Sequence, residues 1–348
     1  MPSACSSCCR QPNRLTDHQA NRDQVAYTTT MTKHRLTDQQ ARRVKAQRTH
    51  SGVDLNDAGE AGVVIASYGK QVLVEHDDGQ RTLCHLRAHL TPPVAGDQVL
   101  WTPSEETGVI SALVERRNVL QRPDIRGRLR PIAANIDLML VVFAPEPAPQ
   151  PHLLDRYLVA AAYIDVEPVL VLNKADLIAG TTLADQLAVY AELGYRTLIT
   201  DHNMPHAEDL MKVIGHDTLI LVGQSGVGKS SLIQRLLPDA AIRVGALSVV
   251  ADKGRHTTTT TELFALPQGG RLIDSPGVRD FGLSHLPIAE VERGFREFQP
   301  LLGHCRFRDC RHQSEPGCAL LNAVSEGAIS PQRFDSYLRI RADLQSGS

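Results

Sequence analysis

The chain has 348 residues, 42% apolar and 22% charged, with a formal net charge of -2. A length of this kind makes two or three domains of roughly 100–200 residues. The composition excludes wholesale disorder, and the near-neutral charge excludes a uniform polyelectrolyte binder. No segment reaches the roughly 18 apolar residues of a membrane helix, and the N-terminus lacks the apolar stretch of a secretory signal, so a cytoplasmic protein without membrane contact is expected. Seven cysteines, at 5, 8, 9, 84, 305, 310 and 318, form an odd, clustered set. That pattern suits a metal site in a reducing compartment better than a disulfide framework.

Residues 1–57 are polar and lack periodic apolar positions, which predicts a disordered arm or one helical only when bound. Met31 opens a different run, MTKHRLTDQQARRVKAQR, and is the expected native start; Lys33 to Arg48 holds six Lys/Arg against Asp38 alone. Residues 60–115 read as short strands: AGVVIASYG, KQVLVEH, RTLCHL, GDQVLWTP and GVISALVE, with a turn at DDGQ. Their even spacing predicts a small β-barrel. The barrel itself is acidic, with three basic residues against eight acids. Residues 116–130 reverse the balance: Arg116, Arg117, Arg122, Arg126, Arg128 and Arg130 face only Asp124. If RNA is bound, such flanks supply phosphate attraction.

From residue 136 the apolar runs IDLMLVVFA, EPVLVLN, YRTLIT, DTLILVG and GRLID alternate with amphipathic stretches. Strand and helix in alternation predict a parallel sheet covered on both faces. Beyond residue 284, helical stretches at about 287–302 and 331–344 flank a Cys/His cluster. The domain reading is therefore an arm over 1–57, a barrel over 58–120, a nucleotide-binding domain over 121–283 and a helical module over 284–348.

Gly223-Gln224-Ser225-Gly226-Val227-Gly228-Lys229-Ser230 matches GxxxxGK[ST] between an apolar strand and a helix beginning Ser231-Leu232. In that context the glycines let successive N–H groups face one anion, and the helix N-terminus adds positive potential. Lys229 is placed for the β- and γ-phosphates and Ser230 for Mg2+. Asn173-Lys174-Ala175-Asp176 ends the strand EPVLVL. The Asp176 carboxylate can accept from guanine N1–H and N2–H2, a pair adenine does not offer. Thr200, at the end of YRTLIT, is placed to back the base. Asp274-Ser275-Pro276-Gly277 fits DxxG, with Asp274 assigned to Mg2+ and Gly277 to the γ-phosphate. A threonine of Gly254-Arg255-His256-Thr257-Thr258-Thr259 would complete the Mg2+ shell, Thr258 first and Thr257 second.

Two features depart from ordinary small GTPases. NKxD precedes the P-loop, an order a doubly wound sheet tolerates when its strands keep their places. Val278 follows DSPG, where Ras-type enzymes use Gln to orient the attacking water. His256 is then the candidate to position that water.

Cys305, Cys310, His312 and Cys318 supply three thiols and one imidazole within 14 residues. A Cys3His set suits a closed tetrahedral Zn2+ site, and the loop RFRDCRHQSEPGC is too irregular to fold without that help. His304, beside Cys305, is the alternative imidazole. Cys5, Cys8 and Cys9 lack a fourth ligand.

The permuted motifs NKAD (173–176), GQSGVGKSSL (223–232), GRHTTT (254–259) and DSPGVRDFGL (274–283), with the CRFRDCRH…C cluster (305–318), resemble the RsgA family, also called YjeQ. The resemblance covers about residues 31–345. It implies an OB-fold β-barrel, a circularly permuted P-loop GTPase domain and a C-terminal helical zinc-binding domain, a multidomain α/β architecture. It also implies a monomer that docks on the 30S ribosomal subunit, contacts 16S rRNA and hydrolyses GTP, stimulated by the subunit, to drive release late in maturation. His256 is linked to hydrolysis by the same resemblance. The competing readings are a GTP-switched RNA-binding or translation factor with incidental hydrolysis and, on the Cys/His cluster, a GTP-driven metallochaperone.

Overall fold

Five short strands come first among the described residues: β1 (Glu60–Tyr68), β2 (Gln71–Glu75), β3 (Arg81–Leu86), β4 (Gln98–Pro103) and β5 (Gly108–Leu113). Alternation turns one side of each inward, where Val64, Val72, Val74, Cys84, Val99, Trp101 and Ile110 form a core. β1 pairs with β2 and β4, β2 with β3, and β5 with both β3 and β4, so the ladder returns to its start. Closure removes the free edges that short strands would otherwise expose. A register shift between Val64 and Ala66 bends β1 so that it serves two partners. This is the expected OB-like barrel.

The computed structural model describes residues 59–104, 107–124, 126–201, 208–238, 261–275, 283 and 285–346, all within one compact unit. The arm with Met31, the switch residues His256, Thr257 and Thr258, and Gly277 with Val278 lie outside the described residues.

After the barrel, β6 (Val119–Pro123) and β7 (Leu129–Ala134) pair as a separate two-stranded ribbon. The arginine-rich 116–130 segment thus includes a strand, which charge counting does not show. Through β1, where Ala66 pairs with Glu262, the barrel joins a larger part of the same sheet. This part contains β8 (Leu138–Phe143), β9 (Glu167–Leu172), β10 (Arg196–Ile199), β11 (Thr218–Val222), β12 (Glu262–Ala265) and β13 (Arg271–Asp274). Its spatial order is β10-β9-β8-β11-β13-β12, parallel except for β12. Both faces are covered. Met139, Val141, Phe143, Leu170 and Ile220 pack on α1 (Leu153–Tyr163) and α2 (Leu183–Glu192). Leu138, Leu140, Val142, Val169 and Leu219 pack on α3 (Glu208–Ile214) and α4 (Lys229–Leu236). Strands buried on both sides need continuous apolar sequence, which is why these runs show no alternation.

Following the chain, β8, β9 and β10 step outward one way; after β11 the chain reaches β12, the outer of the two strands on the other side, and returns antiparallel as β13 beside β11. The topological switch point therefore lies between β8 and β11, and ligands of open α/β sheets bind at the carboxyl ends of the strands there. This is the permuted order in physical form: a sheet built from its centre, with the base-reading half first in sequence.

The C-terminal module comprises α5 (Ile288–Arg293), a 3-10 stretch Arg296–Leu301, α6 (Ala319–Ser325) and α7 (Pro331–Ser346). Val291, Phe295, Phe298, Tyr337 and Ile340 form a core that includes Val159 and Ala160 of α1. Arg333 of α7 is 4% exposed at this junction. Its guanidinium grips both Glu297 oxygens, at 2.8 and 3.0 Å, and bonds Asp155 of α1. Tyr190 donates to the same Asp155 oxygen at 2.7 Å. Among the described residues no helix is long and apolar enough to cross a membrane.

Candidate nucleotide site and candidate metal centre

β11 delivers the chain into the glycine-rich loop at the switch point. Gly223 has φ 142° and abuts the end of β8: a Cβ here would lie 2.1 Å from the Val142 carbonyl oxygen. Gly228, at φ 98°, opens α4, and a Cβ there would lie 2.2 Å from Asn173 Nδ2. Both positions therefore require glycine for conformation and for space. Val227 is buried among Leu232 and Leu236 and pins the loop from below. The Lys229 ammonium crosses the loop, donating to the carbonyls of Gly223 (2.6 Å) and Gln224 (2.7 Å). Ser225, Gly226, Ser230 and Ser231 stand exposed at the loop tip and first turn of α4. The arrangement gathers N–H groups, a helix N-terminus and a cation, which suits an anion of several charges.

Asn173 ties this loop to the base side of the sheet. It is buried, donates from Nδ2 to the Val227 carbonyl at 2.9 Å and accepts at Oδ1 from Thr200 Oγ1 at 2.9 Å. One side chain thus spans the ends of β9 and β10 and the P-loop. Lys174, in left-handed backbone (φ 57°), donates to the Glu146 carbonyl at 2.8 Å. The Ala175 N–H is held by the Thr200 carbonyl at 3.1 Å, which sets the single 3-10 turn Ala175–Leu177. Asp176 is exposed within that turn.

Asp274 ends β13 beside β11, and burial holds its carboxyl above the ordinary range. Ser275 follows, its hydroxyl accepting from Thr261 Oγ1 at 3.1 Å. Two contributions had no sequence signal. Pro147 lies against Gly226, and the Gln150 N–H donates to Gln224 Oε1 at 3.2 Å. Both belong to the segment after β8, which only the sheet order brings to the loop.

The four donors of Cys305, Cys310, His312 and Cys318 lie within 4.8 Å of one another. Cys305 Sγ is 3.5 Å from His312 Nδ1 and 3.9 Å from Cys318 Sγ, and His312 Nδ1 is 3.2 Å from Cys318 Sγ. Tetrahedral bonds of about 2.3 Å to sulfur and 2.0–2.1 Å to nitrogen set donor separations of roughly 3.5–3.8 Å. The set therefore gathers four donors at close to the spacing of one tetrahedral ion, and His304 is not part of it. Burial and the neighbouring sulfurs push the Cys310 thiol up to about 12. A divalent cation removes that penalty, because the thiolate is the ligand. The Ala319 N–H points at Cys305 Sγ, 3.3 Å away. Glu315 organises the loop, accepting from the N–H groups of Arg311, Gln313 and Ser314 at 2.9, 2.8 and 3.1 Å. These bonds hold its carboxyl down at about 2.

Residues 113–284 match a family described as RsgA GTPase. The small ribosomal subunit biogenesis GTPase RsgA of Chromohalobacter salexigens is 52% identical over 303 residues, 84% of this chain and 89% of its own. The protein of that name from Pseudomonas aeruginosa strain LESB58 is 48% identical over 334 residues, 90% of this chain and 98% of its own. Among solved structures, YjeQ from Thermotoga maritima is similar with a TM-score of 0.67 at 30% identity, over 82% of this chain and 98% of that one. YloQ, described as a circularly permuted GTPase, gives 0.66 at 27% identity, over 83% and 96%.

Proposed function

The chain belongs to the RsgA family of small ribosomal subunit biogenesis GTPases, and on that premise we propose how its own residues perform the work. The observation that carries the reading is Asn173, which locks NKAD, Thr200 and the P-loop into one rigid unit at the sheet's switch point. A guanine base on Asp176 and phosphates on the loop are then held at a fixed separation. Asp176 accepts the two guanine donors, and ATP is refused because the carboxylate would lose both bonds. The backbone of Gly223 to Gly228 and the Lys229 ammonium hold the β- and γ-phosphates. Ser230, Asp274 and Thr258 are assigned to Mg2+, which when bound neutralises charge developing on those phosphates. His256 positions the water; its oxygen attacks the γ-phosphorus, the bond to the β-phosphate oxygen breaks, and GDP and phosphate result. Gly277 reads the γ-phosphate.

The substrate particle is the 30S subunit, contacted through 16S rRNA, and hydrolysis is faster on it and drives release. The exposed arginines 122, 126, 128 and 130 of the β6–β7 ribbon, and Arg306, Phe307 and Arg308 of the Cys/His loop, support this reading. They offer phosphate contacts and one exposed ring for a base. The ion of the Cys3His centre is Zn2+ in a structural role. The protein works as a cytoplasmic monomer. Competition of a fluorescent GDP analogue by GTP and by ATP tests the nucleotide site: GTP should displace it and ATP should not. Equal displacement by both would overturn the guanine assignment.

A further inference from the structure

The Cys/His loop is only half of what surrounds the metal centre. The other half comes from helices distant in sequence. Glu292 of α5 places Oε1 3.7 Å from His312 Nε2, the ring nitrogen turned away from the three sulfurs. The same oxygen accepts the hydroxyl of fully buried Tyr337 at 2.9 Å. Arg341, one turn further along α7, donates to the Tyr337 oxygen at 2.9 Å and to the Arg311 carbonyl at 2.5 Å. That carbonyl immediately precedes His312, whose backbone is left-handed at φ 57°. A non-glycine residue in that conformation persists only where its surroundings over-determine it. Here both the ring and the peptide before it are gripped from outside the loop.

We propose that Glu292 is a positioning residue for the metal centre: its carboxylate, facing His312 Nε2 at 3.7 Å, favours the tautomer that carries its N–H on that side and turns Nδ1 toward the sulfurs, and through Tyr337 it ties the metal to α7. An outer carboxylate on a ligating imidazole raises the basicity of the ligand and holds its plane. The consequence reaches beyond the loop. Among the described residues α5 is the first helix after the DSPG segment, and Gly294 at its C-terminal end meets Val159 of α1. Metal occupancy and the seating of α5 on the nucleotide-binding domain are therefore linked, each strengthening the other. The inference rests on the reading of the Cys3His set as a metal centre.

The test uses full-length protein, with Glu292→Ala, Glu292→Gln and Tyr337→Phe. Metal content is measured first, then Zn2+ affinity by competition with a chromophoric chelator, and the ligand-field bands of the Co2+ form. Glu292→Ala should weaken Zn2+ binding about 10–100-fold and shift the Co2+ bands. Glu292→Gln, which keeps an acceptor oxygen but no charge, should lose less, and Tyr337→Phe should fall between parent and Glu292→Ala. Should Glu292→Ala lack native helical dichroism, Glu292→Gln decides. Affinities within about twofold of the parent, with unmoved Co2+ bands, would overturn the role of Glu292 and leave the metal centre intact. A parent protein that holds no stoichiometric metal would instead overturn the metal centre itself.

Discussion

Replacing Arg333 by methionine keeps the volume of the side chain and removes the one cation between two buried carboxylates. Arg333 and Glu297 have side chains 4% and 5% exposed, and Asp155 6%. A unit charge pair near 4 Å is worth about 4 kcal/mol at an effective dielectric of ~20, so the two pairs together approach about 8 kcal/mol. Relief from desolvating the guanidinium returns several kcal/mol of that. The net loss expected is about 3–5 kcal/mol, the range for stranding a buried charge. The cation–π contacts of the guanidinium over Phe295 at 4.5 Å and Tyr190 at 5.2 Å are lost as well, and the thioether replaces them only with sulfur–aromatic packing. The assay is urea unfolding followed by far-ultraviolet dichroism, since this module is helical and the single tryptophan, Trp101, reports the barrel instead. Adding Asp155→Asn and Glu297→Gln to Arg333→Met should restore part of the loss, because no unpaired charge then remains. A single-variant loss below about 1 kcal/mol, the level of a surface pair, would refute the reasoning.

Three further outcomes follow from the site. Asn173→Ala removes the bonds to Val227 and Thr200, so affinity for GDP should fall about tenfold or more, the worth of one to two such bonds, as read by titration calorimetry. If the Cys3His set holds a structural ion, chelation should melt the 305–318 loop and lower the thermal midpoint read by far-ultraviolet dichroism; a midpoint unchanged by chelation would contradict the structural role of the ion. Burial raises the Asp274 carboxyl, so protons compete with Mg2+ at higher pH than at an ordinary aspartate. If Asp274 holds Mg2+ as proposed, Mg2+ affinity should decline on acidification, starting at a higher pH than an exposed aspartate would give, and Asp274→Asn should bind weakly with that dependence gone.

The fold was readable where one force dominated. Barrel strands such as β2 and β4 alternate because one side is wet, whereas β1 is buried on both sides at Val64–Ala66, and β8, β9 and β11 are continuously apolar because neither side is wet. β12, with only Glu262–Ala265, is too short to carry a period, and the arginines of β6 and β7 mask their pairing. α6, at Ala319–Ser325, follows directly on Cys318 and has no apolar period of its own in the sequence. Closure of the barrel by the parallel β3–β5 pair involves no local pattern at all. The nucleotide motifs were visible because each is contiguous, whereas their mutual brace through Asn173 is a tertiary fact. Asp155, Glu292, Glu297, Arg333 and Arg341 carry charges that look like solvated surface in one dimension. Their burial arises only where the helical module meets α1 and the Cys/His loop.

The most direct measurement is GTP turnover by the purified protein, alone and with 30S, 50S and 70S particles, beside His256→Ala. The account predicts slow turnover alone, a sharp rise with 30S particles only, and loss of that rise in His256→Ala. Turnover indifferent to every particle would contradict the coupling of hydrolysis to the small subunit and favour a GTP-switched binding protein whose hydrolysis is incidental.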